Sequence, residues 1–303
     1  MKNDSLILTD VTYKYSKSNA PAISHIFLNV EEGISFGLVG HNGAGKTTII
    51  KSILNLVKPQ SGEIQIFNTN SKDANARKVV GYLPELSCFY NFLSVEEFLK
   101  YSAILKRIPF RELKDTVSDA LELACLKKDI KTPLRQLSKG ELQKVAIAQA
   151  ILSAPKLLII DEPFSGLDPI GRDEFISLIK LLKNNGTTIF LSSHLLNDVE
   201  SLCDKVAILN KGELEGVYDK KTIQNSLGDK FELILVKNEE SLKFSKNTKV
   251  NVKEESGKLI LELSEKELSR EILKNAIDAK VDIVSFHKKQ ATLEEMFLTL
   301  IKR

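Results

Sequence analysis

Short apolar runs alternate with helical patterns along the first 215 or so residues. Four runs predict buried strands that end at glycine or polar positions: 34–39 before Gly40, 79–83 before Pro84-Glu85, 157–160 before Asp161, and 187–193 before His194. Strands alternating with helices are typical of a mostly parallel sheet covered by helices, so we predict an α/β fold. Since ligands bind beyond the carboxyl ends of such strands, the four ends are expected to meet at one site.

Two later segments have different patterns. Strand signals disappear between about residues 86 and 154, where a capping box formed by Ser94 and Glu97 predicts a helix that ends near Arg107. After a turn signal at 210–212, leucines alternate in two short runs, 231–235 and 259–263, and the pattern then predicts a helix over 267–279, an extended segment over 281–286 and a helix over 293–301. We therefore predict one domain over 1–217, with a helical subdomain at about 86–154, and a small α+β accessory domain over 218–303.

Composition and charge narrow the possible functions. The chain has 303 residues, of which 43% are hydrophobic and 27% charged, as in globular proteins that fold in water. No apolar run approaches the roughly 18 to 20 residues that span a bilayer, so any membrane role is expected to be peripheral or through a partner. The net charge of +3 comes without a basic stripe, so no nucleic-acid partner is expected. Three widely spaced cysteines indicate a reducing compartment and no structural zinc.

A glycine-rich segment follows the first predicted strand. Residues 40–47 fit the pattern GxxxxGK[ST], ahead of a helix that would bury Ile49, Ile50 and Ile53. In this pattern the glycines let backbone amides surround phosphate oxygens, Lys46 reaches the β- and γ-phosphates, and Thr47 offers a hydroxyl to Mg²⁺. A chance match is the alternative, and the strand before the segment and the helix after it argue against one. The segment predicts a site for a nucleoside triphosphate.

Two carboxylates follow the strand at 157–160. Asp161 can hold Mg²⁺ or its waters, and Glu162 can polarise a water for attack on the γ-phosphate, which makes it the candidate general base. An acidic pair after a buried strand is by itself often only the start of a loop. The phosphate-binding segment upstream favours the catalytic interpretation.

Five further segments resemble the ATP-binding cassette (ABC) ATPases, in the order typical of that family. Residues 137–141, Leu-Ser-Lys-Gly-Glu, resemble the signature motif, and residues 165–168 resemble the D-loop. His194 resembles the switch histidine, and Tyr15 resembles the aromatic residue that stacks on adenine. Glu85 occupies the Q-loop position. Each segment alone has a plainer interpretation, such as a capped helix start for the signature motif and the D-loop. The order and context of the motifs over residues 5–215 support the family.

The resemblance implies a fold and a set of site residues. The implied fold is a P-loop NTPase of ABC type, a RecA-like core with a helical subdomain. The implied catalytic residues are Glu162, His194 and Lys46, and the implied Mg²⁺ ligands are Thr47, Glu85 and Asp161. The residues expected to bind ATP are Tyr15, Gly40, His41, Asn42, Gly43, Ala44, Gly45, Lys46, Thr47, Thr48, Ser138 and Gly140.

Family resemblance also implies a pair of cassettes. The signature helix of one subunit completes the ATP site of the other, so a homodimer in which Ser138 and Gly140 act in trans is expected. The usual signature is LSGGQ, but here Lys139 replaces a glycine and Glu141 the glutamine, while Gly140 is retained. Glu85 stands where the Q-loop usually has glutamine, and an ionised carboxylate cannot donate a hydrogen bond.

The segment 81–85, Gly-Tyr-Leu-Pro-Glu, resembles cassettes that serve ABC-2-type exporters, and residues 291–298 resemble the terminal helix of their accessory domains. This branch implies an ATPase on the inner face of the cell membrane, docked on a separate permease around Glu85 and residues 87–95. A non-transport ABC ATPase of DNA repair or translation is the alternative, although the chain has one cassette and neither a coiled-coil insertion nor a CxxC zinc hook. A module that binds ATP without hydrolysing it is a third possibility, against which Glu162 argues.

Overall fold

The structure is a computed structural model, and it describes residues 3–127, 130–165, 167–225, 230–248, 250–263, 266–289 and 293. The chain forms two compact units, 1–220 and 221–303. In the first unit the elements are β1 (Asp4–Tyr13), β2 (Ile23–Glu31), β3 (Ser35–Val39), α1 (Lys46–Ile53), β4 (Ser61–Ile66), β5 (Thr69–Asn70), α2 (Ala74–Lys78), β6 (Val80–Leu83), α3 (Val95–Leu105), α4 (Leu113–Leu123), α5 (Lys139–Ile151), β7 (Leu157–Asp161), α6 (Pro169–Asn184), β8 (Thr188–Ser193), α7 (Leu196–Leu202), β9 (Lys205–Asn210) and β10 (Glu213–Asp219). Helix α8 (Lys220–Asn225) follows at the division between the units.

A six-stranded sheet carries the four predicted strand ends. Its strand order is β10-β9-β3-β8-β7-β6, and all neighbours are parallel except β10, which pairs antiparallel with β9. Strands β3, β8, β7 and β6 are consecutive neighbours, with Val39 beside Ser193 and Asp161 beside Ser192. Their carboxyl ends therefore lie along one edge, as the sequence pattern predicted.

Burial explains why these strands are continuously apolar. Every residue of β3, β7 and β8 is buried, because in a parallel sheet both faces are covered. Ile49, Ile50 and Ile53 of α1 pack into the same core as Phe36, Ile159 and other residues of the strands. Buried apolar side chains thus fix α1 against the sheet and position its first turn at the strand ends.

Four strands among the first 70 residues lie outside the predicted parallel sheet. Strands β1, β2, β4 and β5 form a separate antiparallel sheet in the order β2-β1-β4-β5. In β2, buried and exposed positions alternate, as expected for an antiparallel strand with one face on the core. The sequence pattern did not separate this sheet from the parallel one, because both produce short apolar runs joined by turns.

The segment between β6 and β7 is helical, as predicted. It holds α3, α4, α5 and two short 3-10 helices, Phe110–Glu112 and Leu134–Gln136. Among the residues described between 86 and 154, no strand occurs, and Ser94 pairs with Pro133 only in an isolated bridge. Throughout the described part of the chain, no helix combines the length and apolar character that crossing a membrane requires.

The second unit is an antiparallel sheet with helices. Its elements are β11 (Phe231–Val236), α9 (Glu239–Asn247), β12 (Asn251–Glu255), β13 (Lys258–Leu263), α10 (Lys266–Asp278) and β14 (Ile283–Lys288), and the strand order is β12-β13-β11-β14. The alternating leucines meet across the sheet, with Leu233 beside Leu261 and Leu235 beside Leu259, and all four are buried. The predicted terminal helix over 293–301 falls outside the described residues, apart from Leu293, which is helical and buried.

Candidate functional site

The glycine-rich loop between β3 and α1 has a backbone that only glycine adopts easily. Gly45 precedes α1 with φ +110°, and a Cβ there would lie 2.6 Å from the carbonyl oxygen of Ala22. Gly43 also has positive φ, at +80°. The first amides of α1 have no partner inside the helix, and the first turn holds no acidic residue, so this helix end favours an anion.

Lys46 lies buried at the base of the loop. Its Nζ donates to the carbonyl oxygens of Gly40 (2.7 Å) and His41 (3.2 Å) and lies 3.0 Å from Oε1 of Glu162. The ammonium group therefore lies between the loop and the end of β7. The same position lets it exchange the carbonyl contacts for phosphate oxygens.

Asp161, at the end of β7, is held by two hydroxyl groups. Its Oδ1 accepts from Thr47 Oγ1 at 3.3 Å and from Ser192 Oγ at 2.6 Å. The residue is 1% exposed, so these hydrogen bonds reduce the free-energy cost of burying its carboxylate. The arrangement joins α1, β7 and β8 at one carboxylate, although Thr47 and Asp161 are 114 residues apart.

Glu162 follows with a left-handed backbone, φ +47°. Such a conformation costs about 1 to 3 kcal/mol in a non-glycine residue and persists where surrounding contacts enforce it. Here Oε1 pairs with Lys46, and Oε2 lies 2.7 Å from His194 Nδ1 and 3.2 Å from the His194 backbone nitrogen, which donates to it. The backbone N–H of Glu162 donates to Ser192 Oγ at 3.1 Å. Strain and contacts together aim this carboxylate between the lysine and the histidine.

A cavity of about 640 Å³ opens over these groups. Its lining brings together many of the predicted residues: Tyr15, Asn42, Gly43, Gly45, Lys46, Thr47, Thr48, Glu85, Glu162 and His194, with Ala22 and Ser165 in addition. The hydroxyl groups of Tyr15 and Thr48 are 3.3 Å apart, which ties the aromatic residue to the start of α1. The remaining predicted loop residues, Gly40, His41 and Ala44, lie in the same loop.

Tyr82, near the Q-loop position, stays a neutral hydrogen-bonding group. Burial, and then the carboxylates of Asp161 and Glu85, raise its pKa to about 12. Since the tyrosine cannot ionise at physiological pH, it adds no negative charge to this acidic corner of the site.

Six predicted residues are not among the described residues that line this cavity: Gly40, His41 and Ala44 of the loop, Asp161 at the end of β7, and Ser138 and Gly140. Ser138 and Gly140 line a separate depression of about 420 Å³, together with Asp168 and the start of α6. Ser138 caps α5 through a capping box with Glu141, and Asp168 caps α6 by accepting from the Gly171 N–H at 2.7 Å. Two capped helix starts thus face one surface that is distinct from the phosphate loop.

Sequence reasoning missed Ser192. Its hydroxyl touches both neighbouring carboxylate residues, accepting from the Glu162 N–H and donating to Asp161. Ser192 lies two positions before His194, but its role depends on β8 being the neighbour of β7, which no local pattern indicates.

Known proteins share both parts of this architecture. Residues 23–165 match the family described as ABC transporter, and residues 220–301 match the C-terminal domain of DrrA1-3-like ATP-binding proteins. The uncharacterized ABC transporter ATP-binding protein YdbJ of Bacillus subtilis is 33% identical over 280 residues, which cover 91% of this chain and 89% of YdbJ. The chain belongs to the family of ABC transporter ATP-binding proteins.

Two further relatives of this ABC protein cover less of its length. The bacitracin transport ATP-binding protein BcrA of Bacillus licheniformis is 40% identical over 210 residues, 68% of this chain and 67% of BcrA. An uncharacterized ABC transporter ATP-binding protein of Synechocystis sp. is 42% identical over 195 residues, 64% of this chain. That match spans only 55% of the Synechocystis protein, so this chain covers little more than half of its length.

Solved structures support the same fold for this ABC protein. The structure of cbiO1 from Clostridium perfringens, described as part of the ABC transporter complex cbiONQ, is 28% identical with a TM-score of 0.66 over 73% of this chain and 91% of that chain. The ATP-binding cassette MJ0796, described as a dimer in a post-hydrolysis state bound to ADP and Pi, is 26% identical with a TM-score of 0.63 over 71% of this chain and 98% of that chain.

These matches confirm three predictions for this ABC protein. The P-loop NTPase fold of ABC type with a C-terminal accessory domain is confirmed by the structures and by the two matched regions. The resemblance to ABC ATP-binding proteins is confirmed, and the accessory domain and the BcrA match fit the exporter branch. The prediction of an ABC-type ATPase is confirmed at the level of the family, and the MJ0796 cassette is described as a dimer.

Proposed function

We propose that this chain is the ATP-hydrolysing subunit of an exporter, docked on a separate membrane-spanning permease at the inner face of the cell membrane. In this proposal residues 1–217 form the ATPase domain, with its helical subdomain at about 86–154, and residues 218–303 form the accessory domain. One relative is named a bacitracin transport ATP-binding protein, and residues 220–301 match the C-terminal domain of DrrA1-3-like proteins. Both similarities support a transporter of the exporter branch. No nucleic-acid partner is proposed.

The residues of the cavity fit ATP with Mg²⁺. At Gly40 a Cβ would lie 2.4 Å from the carbonyl oxygen of Leu209, so the loop leaves no space for a side chain there. The Thr47 hydroxyl and the Asp161 carboxylate supply hard oxygen ligands, and Glu85 lines the same cavity. Mg²⁺ commonly binds through one or two protein groups and substrate phosphates, where it neutralises the charge that develops on the phosphoryl oxygens.

Glu162 is the proposed general base, because Lys46 contacts one oxygen of its carboxylate and His194 contacts the other. Lys46 and the helix end would hold the phosphates, and Tyr15 would stack on adenine. Glu162 would then take a proton from the attacking water, while His194 orients the carboxylate and contacts the γ-phosphate. The observation that supports this assignment most strongly is the left-handed backbone that places Glu162 between Lys46 and His194.

We further propose that two copies of the chain share each ATP molecule. The separate position of Ser138 and Gly140, away from the phosphate loop of their own subunit, supports a role in trans. A capped helix start presents free amides and the positive end of a dipole, which suit a γ-phosphate. Lys139, exposed at the first position of α5, would add a positive charge there.

The proposed permease surface lies after the Q-loop position. Leu86, Tyr90 and Phe92 are 82%, 48% and 74% exposed, which is unusual for neighbouring large apolar residues. The ring of Tyr90 contacts both Phe92 and Tyr101 of α3, so the patch includes the helical subdomain. Its position beside Glu85 would link permease movement to the ATP site.

Glu162→Gln tests the proposed function. Removing a general base should lower ATP turnover at least about 100-fold. The amide keeps the size of the side chain, so ATP binding should persist, and the variant should accumulate as a dimer with MgATP. Turnover, equilibrium binding of ATP and size-exclusion chromatography measure the three effects.

The matched control is Glu122→Gln, which removes an exposed carboxylate of α4 that forms a surface ion pair with Lys127. Its turnover should equal that of the wild type. If Glu162→Gln also turns over ATP like the wild type, Glu162 is not the base. If it remains monomeric with MgATP, both alone and with the permease, the shared site is wrong.

A further inference from the structure

An ion pair between a buried carboxylate and a partly exposed guanidinium joins the starts of two helices beside the site. Asp198, in the first turn of α7, is 5% exposed, and its Oδ1 lies 3.5 Å from Nη1 of Arg172. Arg172 lies in the first turn of α6, and its backbone N–H donates to the carbonyl of Asp168 at 2.9 Å. The pair therefore connects the helix that follows the D-loop with the helix that follows β8.

Arg172 also contacts the segment that carries the proposed base. Its guanidinium lies over the ring of Phe164, 5.8 Å from the ring centroid, and Phe164 comes two positions after Glu162. The Phe164 ring is 2% exposed and packs edge to face against Phe175 of α6. Phe164 thus connects α6, through Arg172 and Phe175, with the segment that follows β7.

Asp198 stands close to His194 along the chain. A single residue, Leu195, separates His194 from the start of α7, so the histidine is linked directly to the first turn of this helix. Burial raises the pKa of Asp198, and the charges of Arg172 and His194 oppose that shift. The carboxylate therefore depends on Arg172 as its partner.

The Arg172–Asp198 ion pair could form more hydrogen bonds than it does. A guanidinium and a carboxylate can form two parallel hydrogen bonds of about 2.7 to 2.9 Å, whereas the contact here is longer. Nε of Arg172 and Oδ2 of Asp198 are buried and have no hydrogen-bond partner among the described residues. Since buried polar atoms in native proteins usually have partners, these two atoms require an explanation. A small shift of either helix would change which atoms of the pair are bonded.

We propose that Arg172 and Asp198 are positioning residues that hold Glu162 and His194 in register for ATP hydrolysis. The proposal rests on the proposed function, because it assigns a role in that reaction. Arg172 acts on Glu162 through Phe164, and Asp198 acts on His194 through the first turn of α7. Neither side chain is among the described residues that line the ATP cavity, so their loss affects turnover and leaves nucleotide binding intact.

The test uses the full-length chain and four proteins: wild type, Arg172→Ala, Asp198→Asn and the double variant. Steady-state hydrolysis gives kcat and KM, and a fluorescent ATP analogue gives the binding constant. Each single variant should lower kcat at least about tenfold, with KM and binding changed less than about threefold. The double variant should be no slower than the slower single variant, because the two residues act as one unit.

Lys183→Ala is the matched control. Lys183 lies near the other end of α6 and forms an ion pair with Asp204 at 2.7 Å, so the variant removes an ion pair of the same helix away from the site. Its kcat should stay within about twofold of the wild type. Arg172→Lys keeps the charge without the planar fork and should recover part of the lost kcat. If Arg172→Ala fails to fold, Arg172→Lys and Asp198→Asn decide the question.

Three results would overturn the positioning role: unchanged kcat in Arg172→Ala and Asp198→Asn, an equal loss in Lys183→Ala, or losses that add in the double variant. Activity of the wild type distinguishes failure of this role from failure of the proposed function. A wild-type chain that hydrolyses no ATP refutes both, whereas an active wild type with unaffected variants refutes only the positioning role.

Discussion

At the scale of single residues, two adjacent carboxylates have different surroundings. Side chains of a regular strand alternate between its faces, and the left-handed backbone of Glu162 ends that alternation directly after Asp161. Asp161 is bonded by hydroxyl groups, which suits a metal ligand, while Glu162 lies between Lys46 and His194, which suits a base. Ser192 connects the two, since it bonds to both residues.

Ser192→Ala tests this connection. Groups that orient a metal ligand typically contribute about 10- to 100-fold to metal affinity, so we expect the Mg²⁺ concentration for half-maximal hydrolysis to rise about tenfold or more. Without the hydroxyl, Asp161 loses its 2.6 Å hydrogen bond and its orientation. A Mg²⁺ titration of ATP turnover measures the effect.

Ser193→Ala is the control for that change. Ser193 is the adjacent buried serine of β8, and its hydroxyl accepts from the Leu195 N–H at 3.0 Å. Loss of the hydrogen bonds of either hydroxyl group should reduce the free energy of unfolding by about 1 to 3 kcal/mol. Only Ser192→Ala should change the Mg²⁺ requirement, and equal requirements in both variants would contradict the role of Ser192.

At the scale of elements, two helices begin with the same local device. Ser94 and Glu97 form a capping box at the start of α3, where the Ser94 N–H donates to the Glu97 carboxylate at 2.8 Å. Ser138 and Glu141 form the same arrangement at the start of α5, with a distance of 2.7 Å. The serine hydroxyl groups also donate to these carboxylates, and the N–H and hydroxyl hydrogen bonds together lower the pKa of Glu97, where the N–H contributes most, and of Glu141, where the hydroxyl contributes most. A lowered carboxyl pKa stabilises the fold above the ordinary Glu pKa of about 4.3, and this contribution disappears as pH falls through the lowered value.

The two capping boxes give a matched pair of variants. Ser94→Ala and Ser138→Ala should each reduce the free energy of unfolding by about 0.5 to 2 kcal/mol, because each helix loses its N-cap. Only Ser138→Ala should also lower kcat, by about tenfold, if Ser138 completes the ATP site of the partner subunit. Thermal unfolding and ATP turnover of both variants provide the comparison, and equal turnover in both would remove Ser138 from the site.

At the scale of the whole molecule, each unit has its own apolar core. The first contains residues between Leu6 and Leu209 on both sheets and on α1 and α2. The second contains residues between Leu233 and Val281 on β11, β13 and α10 and in the segment after α10. Each of these two sets of buried apolar residues belongs to one unit.

A chain that ends after residue 220 should therefore fold without the accessory unit. We expect cooperative thermal unfolding and ATP binding within about threefold of the full-length chain, since every described residue of the ATP cavity lies before residue 220. Calorimetry and ATP binding test this, with the full-length chain as the control. A fragment that unfolds without cooperativity would show that the two units depend on each other.

The sequence by itself determined the local features of this protein. Strand ends at Gly40, Asp161 and His194, the capping boxes and the phosphate loop were all predictable, because each depends on residues a few positions apart. The alternating leucines of the second unit were predictable for the same reason, since period-two burial defines the face of a strand.

Only the tertiary structure decided which strands are neighbours. It placed β8 between β3 and β7, separated β1, β2, β4 and β5 into a second sheet, and brought Ser192 to Asp161 and Arg172 to Asp198. The contacts of Arg172 with Asp198, of Ser192 with Asp161 and of Thr47 with Asp161 join residues 26, 31 and 114 positions apart, and the packing of the whole core selects them. No local pattern of polar and apolar residues specifies such a choice, because many pairings of short apolar strands satisfy the same pattern.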